Sequence, residues 1–231
     1  MLINEIVIYY IDIKILMLII MVIEEKLDTR LTDILPIIQS RIMNENLYFG
    51  IKSLKNPLDL WIYQEIIFSI KPDIIIEIGN GYGGSLLAIA HFFDHMNHGK
   101  VIGVDIGLHP IHESVKKHPR IILKTWDACA LFKEVKGLID TNDTVMIIED
   151  SSHEYDNTIN ILRKYGGLVS VNSYFIIEDS ICHHGLDIGP IPGPYEAITD
   201  FLKEDDRYIC DRSKESFLIT WNPKGYLKRI K

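Results

Sequence analysis

Two groups of residues in this 231-residue chain have types and spacings that can do chemistry. The first is Asp150-Ser-Ser-His153 together with Glu178-Asp179. Asp150 follows the apolar run VMIIE, and Glu178-Asp179 follow YFII, so two neighbouring strands would deliver carboxylates to one end of a sheet. Acids brought together there repel one another unless something positive lies between them. Oxygen ligands select a hard divalent cation, and Mg²⁺ fits best. Asp150, Glu178 and Asp179 are therefore read as metal ligands. His153 lies where the chain leaves a strand and enters a helix, so its imidazole could take the proton of a metal-bound hydroxyl near neutral pH. The competing reading has Asp150 and Ser151 or Ser152 capping the helix that opens at Tyr155, with Glu178 and Asp179 solvated.

The second group is Glu77-Ile-Gly79-Asn-Gly81-Tyr-Gly83-Gly84-Ser85, between a strand and a helix. Glycines there permit a tight turn and close approach of a ligand to the backbone. The spacing departs from G-x-G-x-x-G, because the later glycines follow too soon. That departure counts against a nicotinamide oxidoreductase, the main rival reading from another enzyme class. Asp105 ends the next strand about 20 residues on, where an acid can grip ribose hydroxyls. An acid, a glycine loop and a second acid on adjacent strands is the usual arrangement for S-adenosylmethionine in Rossmann-like methyltransferases. Glycines that merely turn the chain, with Asp105 capping a helix, are the alternative.

The elements that must position these residues follow from hydrophobic pattern. Short β-branched runs (73–78, 101–105, 121–124, 144–149 and 174–178) alternate with helical segments (85–93, 129–136 and 155–165). Strands that are apolar throughout are buried on both faces, hence parallel and covered by helices. The expected fold is α/β, a Rossmann-like doubly wound, mostly parallel sheet, with ligands bound beyond the carboxyl ends of its strands. Asn56-Pro57 reads as a helix start, and Gly166-Gly167 as the end of the helix before it. Residues 195–202 read as a helix, and 207–210 and 217–221 as strands. Apolar positions from Leu27 to Ile42 predict an N-terminal helix with Pro36 inside it. The expected division is 1–46 as an apolar segment and helix, and 47–231 as the catalytic domain.

Lys plus Arg number 24 against 32 Asp plus Glu, a formal charge of −8. That balance lacks the basic footprint that nucleic acid requires. The cysteines, Cys129, Cys182 and Cys210, are odd in number and far apart, which fits a reducing, cytoplasmic setting. Residues 1–23 are strongly apolar, but the unbroken run Ile15–Ile23 spans only about 14 Å as helix, under half of a ~30 Å hydrocarbon core. The segment is open to three readings: a packed extension, a peripheral membrane contact, or translated upstream sequence with Met17 or Met21 as the start.

From Tyr48 onward the chain resembles the cephalosporin hydroxylase/rhamnosyl O-methyltransferase family. The resemblance rests on YFGIKSLKNPLDLWIYQEII, IIIEIGNGYGGS, VIGVDI, HPRIIL, DSSHEY, SYFIIEDS and NPKGYLKR. It implies a class I methyltransferase fold, S-adenosylmethionine and a divalent metal as cofactors, and methyl transfer to a hydroxyl of a sugar, glycolipid or secondary metabolite. The chain is also similar to metal-dependent macrolide-sugar O-methyltransferases, whose metal ligands match Asp150, Glu178 and Asp179 and whose histidine base matches His153. By the same resemblance Glu77, Gly79, Gly81, Gly83, Ser85 and Asp105 belong to the cofactor site, and Trp126-Asp127 stands at the adenine. The hydroxylase chemistry in the family's name does not fit, since non-haem iron needs two His and one carboxylate on a face. After Asp179 only GP-x-x-GPYEA matches; His183 and His184 fall in this segment, where the acceptor would be chosen. The partners expected are a small-molecule or glycolipid acceptor and a second copy of the chain in a homo-oligomer. A non-catalytic binding subunit is the remaining rival, and a pure scaffold would not need carboxylates gathered at one edge.

Overall fold

In a computed structural model the structure describes residues 28–231. The three readings of residues 1–23 therefore lie outside the described residues. The chain divides into two units, with the boundary between Asn44 and Glu45. Helix α1 spans Leu31–Glu45, ending at that boundary, and runs with Pro36 inside it. Among the described residues no helix is long and apolar enough to cross a membrane.

The second unit is built on a seven-stranded sheet. A short hairpin, β1 (Leu47–Tyr48) and β2 (Ile51–Lys52), precedes helix α2 (Pro57–Ile70). Asn56 caps α2 as its sequence suggests, its side chain accepting from the Leu58 amide, with Pro57 at the first helical position. Then follow β3 (Ile74–Ile78), α3 (Gly84–Met96), β4 (Lys100–Asp105), α4 (Glu113–Lys116), β5 (Ile121–Thr125) and α5 (Ala128–Lys136). The remaining elements are β6 (Val145–Glu149), α6 (Tyr155–Tyr165), β7 (Tyr174–Ile177), α7 (Pro194–Glu204), β8 (Tyr208–Cys210) and β9 (Tyr226–Arg229).

The strand order is β5-β4-β3-β6-β7-β9-β8, parallel from β5 through β7 and antiparallel at β7–β9 and β9–β8. Order reverses at β3, whose neighbours are β4 and β6, and such a switch point opens a crevice at the carboxyl ends of the strands. Both faces are covered, as the apolar strands require. Ile74, Ile76 and Ile78 join the core under α5, α6 and α7, whereas Ile75 joins the core with Ile62, Tyr63, Ile66, Leu86 and Phe93 of α2 and α3. Strand alternation therefore turns Glu77 toward the α2–α3 face and Glu149 toward α6.

Two expectations are corrected here. Residues 217–221 form no strand; Thr220 and Trp221 are buried because the Asp59 carboxylate of α2 binds the Thr220 hydroxyl and the Trp221 amide. The last strand is β9, which lies between β7 and β8 and pairs with both, so Lys228 and Arg229 stand on an interior ladder. Gly166 does close α6, with its amide bonded to the Leu162 carbonyl, but its φ of −54° is helical, without the left-handed turn that a terminal glycine usually supplies.

Candidate active site

Register explains why the acids converge. Ile78 pairs with Glu149 and Glu149 with Ile177, so the next residues on three adjacent strands, Gly79, Asp150 and Glu178, leave the sheet in one row. Their amides continue the ladder, bonding to the carbonyls of Val104, Ile78 and Glu149 at 2.8, 2.7 and 2.9 Å.

A residue that the sequence reading passed over lies at the centre of this row. Lys55, two residues before α2, is almost wholly buried, and its ammonium meets Glu77 Oε1 at 3.1 Å, Asp150 Oδ2 at 2.6 Å and Glu178 Oε1. Burial opposes its charge, but Asp150, Glu178 and Glu77 outweigh burial and hold its pKa well above the ordinary lysine value. Burial, and then Asp150, push Glu178 well above the usual carboxylate range against the pull of Lys55. Burial likewise raises Glu77, whose other oxygen accepts from the Ser85 hydroxyl at 3.0 Å. Glu77 is thus paired with Lys55 and hydrogen-bonded to Ser85 inside the protein.

The second basic group is His153. Its φ of +60° swings the chain back after β6, and its Nε2 lies 3.2 Å from Asp179 Oδ2 and 3.9 Å from Asp150 Oδ1. Burial alone would lower its pKa, yet Asp179, Asp150 and Glu149 together raise it. Burial pushes Asp179 up to about 6, with His153 pulling the other way. The Asp179 amide is held at 3.1 Å by Asn222 Oδ1, and the Asn222 amide group donates to the Tyr63 hydroxyl at 2.8 Å. Neither Asp150 nor Ser151 caps α6: the cap position is Glu154, without a side-chain bond, and Ser151 bonds to Glu149 and Asn157.

Asp150, His153 and Asp179 offer ligand atoms within 4.8 Å of one another. Two carboxylates there suit a hard cation, and the buried His153 Nδ1 has no hydrogen-bond partner. Four carboxylates (Glu77, Asp150, Glu178 and Asp179) face one lysine, Lys55, and one titratable imidazole, His153, so the site has a surplus of negative charge that fits a divalent ion. Glu178 stands beside the trio of Asp150, His153 and Asp179 with one of its oxygens turned to Lys55. A second group, His91, Asp94 and His118, is internally satisfied. His118 Nδ1 accepts from the Arg120 amide, which leaves the proton on Nε2 to donate to Asp94 at 3.1 Å, while Arg120 Nε holds the other oxygen at 2.7 Å.

On the cofactor side, Gly79, Gly81 and Gly83 all have positive φ. The Asp105 carboxylate binds this loop: Oδ2 accepts from the Asn80 and Gly81 amides at 2.7 and 3.2 Å, and Oδ1 from the Gly107 amide at 2.6 Å. A cavity of about 340 Å³ opens beside it, lined in part by Asn80, Asp105, His109 and Thr125. Trp126 is 65% exposed at the end of β5, and Asp127 caps α5 by accepting from the Ala130 amide at 2.7 Å. His183 and His184 are tied within their own segment, to Asp187 at 2.9 Å and to Glu196 at 2.6 Å.

This sheet order, with a glycine loop at the switch point and acids along the strand ends, defines a class I methyltransferase. The model of the family described as Rhamnosyl O-methyltransferase/CmcI matches residues 40–230, and the chain belongs to that family. A rhamnosyl O-methyltransferase of Mycobacterium leprae (strain TN) is 30% identical over 200 residues, covering 81% of this chain and 85% of the relative. One from Mycobacterium tuberculosis (strain ATCC 25618 / H37Rv) is 29% identical over 195 residues, covering 81% and 80%. Among solved structures, a CmcI chain in a Mg-SAM form shares the fold with TM-score 0.63 and 24% identity, covering 80% of this chain and 77% of that one. An O-methyltransferase from Bacillus cereus shares it with TM-score 0.51 and 13% identity, covering 90% and 95%. The chain is an O-methyltransferase, which sets aside both the nicotinamide oxidoreductase and the non-catalytic subunit.

Proposed function

We propose that the protein transfers a methyl group from S-adenosylmethionine to a sugar hydroxyl, of a rhamnosyl or related glycoside, with Mg²⁺ as second cofactor. The observation that carries this reading is the meeting of Asp150, His153 and Asp179 one strand away from the glycine loop bound by Asp105. The names of the curated relatives support the rhamnosyl acceptor, and the Mg-SAM form of CmcI supports the cofactor pair.

In this reading the loop from Gly79 to Gly83 and Asp105 seat the nucleoside and ribose, Trp126 and Asp127 border the adenine, and Glu77 and Ser85 brace the loop from below. A divalent cation held by Asp150, Asp179 and Glu178 would act as a Lewis acid on the acceptor oxygen. His153, in its neutral form, would take the acceptor's proton. The carboxylates of Asp179 and Asp150, 3.2 and 3.9 Å away, then stabilise the imidazolium. Holding the acceptor oxygen in line with an already activated methyl group is the larger task, and positioning of this kind supplies up to roughly 7–11 kcal/mol.

Calorimetric titration with S-adenosylmethionine and with NAD⁺, each with and without Mg²⁺, tests the cofactors; release of S-adenosylhomocysteine with a rhamnoside acceptor tests the reaction. Binding of NAD⁺ in preference to S-adenosylmethionine, or turnover unaffected by chelation of divalent cations, would overturn the reading.

A further inference from the structure

Lys55 has no part in the scheme above, yet it is buried among the acids that the scheme assigns to the metal. Its ammonium has three donors and meets three carboxylates, those of Glu77, Asp150 and Glu178. Its backbone is fixed as well: its carbonyl accepts from Asn46 Nδ2 at 2.7 Å, and the next residue, Asn56, caps α2. Two of the three carboxylates, Asp150 and Glu178, are hydrogen-bonded to the ammonium, and Glu77 Oε1 completes its surroundings as an ion pair at 3.1 Å. The role open to it is electrostatic.

We propose that Lys55 is an internal counter-cation that opposes the divalent metal. Its ammonium and the metal draw on the same carboxylates, so each weakens the hold on the other. This rests on the reading above that Asp150 and Glu178 are metal ligands. The geometry that carries it is the division of Asp150 between two neighbours, with Oδ2 on Lys55 at 2.6 Å and Oδ1 facing His153 at 3.9 Å. A cation on the Asp150–His153–Asp179 side is separated from the ammonium by one carboxylate. Glu178 is engaged by Lys55 in the same way. Buried acids without a cation are costly to fold, and Lys55 offsets part of that cost before any metal arrives. The consequence is a site that folds metal-free and binds its metal reversibly.

The experiment compares wild type with Lys55→Met, and with Lys55→Met/Glu77→Gln, which removes one positive and one negative charge and so keeps the buried charge balanced. Melting temperature with and without Mg²⁺, and Mg²⁺ affinity by calorimetry, are read on each. Lys55→Met should melt lower than wild type without Mg²⁺ and gain more from Mg²⁺. Its Mg²⁺ affinity should be about tenfold tighter or more, the lower end of what one charge at ~4–6 Å does to an ionic equilibrium. Should the single variant fail to fold, the balanced double variant is expected to show a smaller tightening, since Asp150 and Glu178 are released from the ammonium while the Glu77 charge is lost. Mg²⁺ affinity equal to or weaker than wild type in a folded variant overturns the proposal. A wild type with no Mg²⁺ response at all overturns the metal reading itself, a result distinct from a wild-type response that both variants merely repeat.

Discussion

Gly79 lies directly against the backbone of Asp150: a Cβ built on Gly79 would stand 1.9 Å from the Asp150 carbonyl oxygen. The glycine loop of β3 and the acid-bearing exit of β6 are therefore packed backbone to backbone. The glycine is needed here for the seam between the two halves of the site as well as for approach of a ligand. Its φ of +88° adds a second reason, since side chains are rarely tolerated there.

Gly79→Ala should accordingly destabilise the protein by on the order of 3 kcal/mol or more, combining overpacking with backbone strain. Urea denaturation followed by circular dichroism measures it. A loss within about 0.5 kcal/mol, as at an ordinary surface position, would mean that the seam can open freely.

Asp105 carries two tasks at once, which changes what its removal should do. Three backbone amides, of Asn80, Gly81 and Gly107, depend on its carboxylate, so Asp105→Ala should loosen the loop as well as weaken the ribose grip. S-adenosylmethionine affinity should fall by on the order of 1.5–3 kcal/mol, and stability should fall with it. Asp105→Asn keeps an acceptor for the amides, and is expected to recover most of the stability and less of the affinity. Equal recovery of both would show that Asp105 acts on the cofactor only through the loop.

The positive φ of His153 decides which substitution tests it fairly. Alanine would be strained at +60°, whereas asparagine tolerates that region, so His153→Asn separates loss of the imidazole from loss of the turn. Turnover should drop roughly 10²–10⁴-fold, the range for a missing general base, with S-adenosylmethionine affinity nearly unchanged. A well-folded His153→Asn protein with wild-type turnover would rule the base out.

How much of this could be read from the chain alone follows from what each feature depends on. The strands from Ile74 to Ile177 announce themselves because burial on both faces leaves them continuously apolar, and parallel register then lines up the residues after each run. Asp150, Glu178, Asp179 and His153 were legible for that reason. Lys55 was not, because it sits in a polar connection, Ser53-Leu54-Lys55-Asn56, and its partners lie up to 123 residues away. Only the surplus of acids pointed to a missing positive charge, and the surplus does not say which lysine supplies it. Residues 217–221 misled for a related reason. Of this apolar run only Thr220 and Trp221 are buried, as a buttress held by Asp59 of α2, while Phe217 and Leu218 are exposed, so an apolar run of five did not mean a strand.

That buttress leads to a prediction about pH. Asp59, near the start of α2, is buried and accepts from the Thr220 hydroxyl, the Trp221 amide at 2.8 Å and the Tyr226 hydroxyl at 2.8 Å. Asn222, next in the chain, holds the Asp179 amide, so Asp59 supports the acid site at one remove. Removing all its acceptors with Asp59→Ala should cost roughly 3–5 kcal/mol, because buried donors are left unpaired. Burial raises the Asp59 pKa above its ordinary value of 3.8, although the hydrogen bonds it accepts pull it down. A carboxyl raised in the folded state contributes stability that is fully present below the unfolded value and is lost as pH rises through the folded one. Asn cannot titrate, so the stability advantage of wild type over Asp59→Asn should be greatest near about pH 4 and shrink toward about pH 7. Chemical denaturation of both proteins across that range isolates the effect, since all other groups titrate alike in the two. A wild-type advantage that grows with pH would mean that Asp59 is held as a carboxylate more strongly in the folded protein than in the unfolded chain, and that hydrogen bonding outweighs burial at this position.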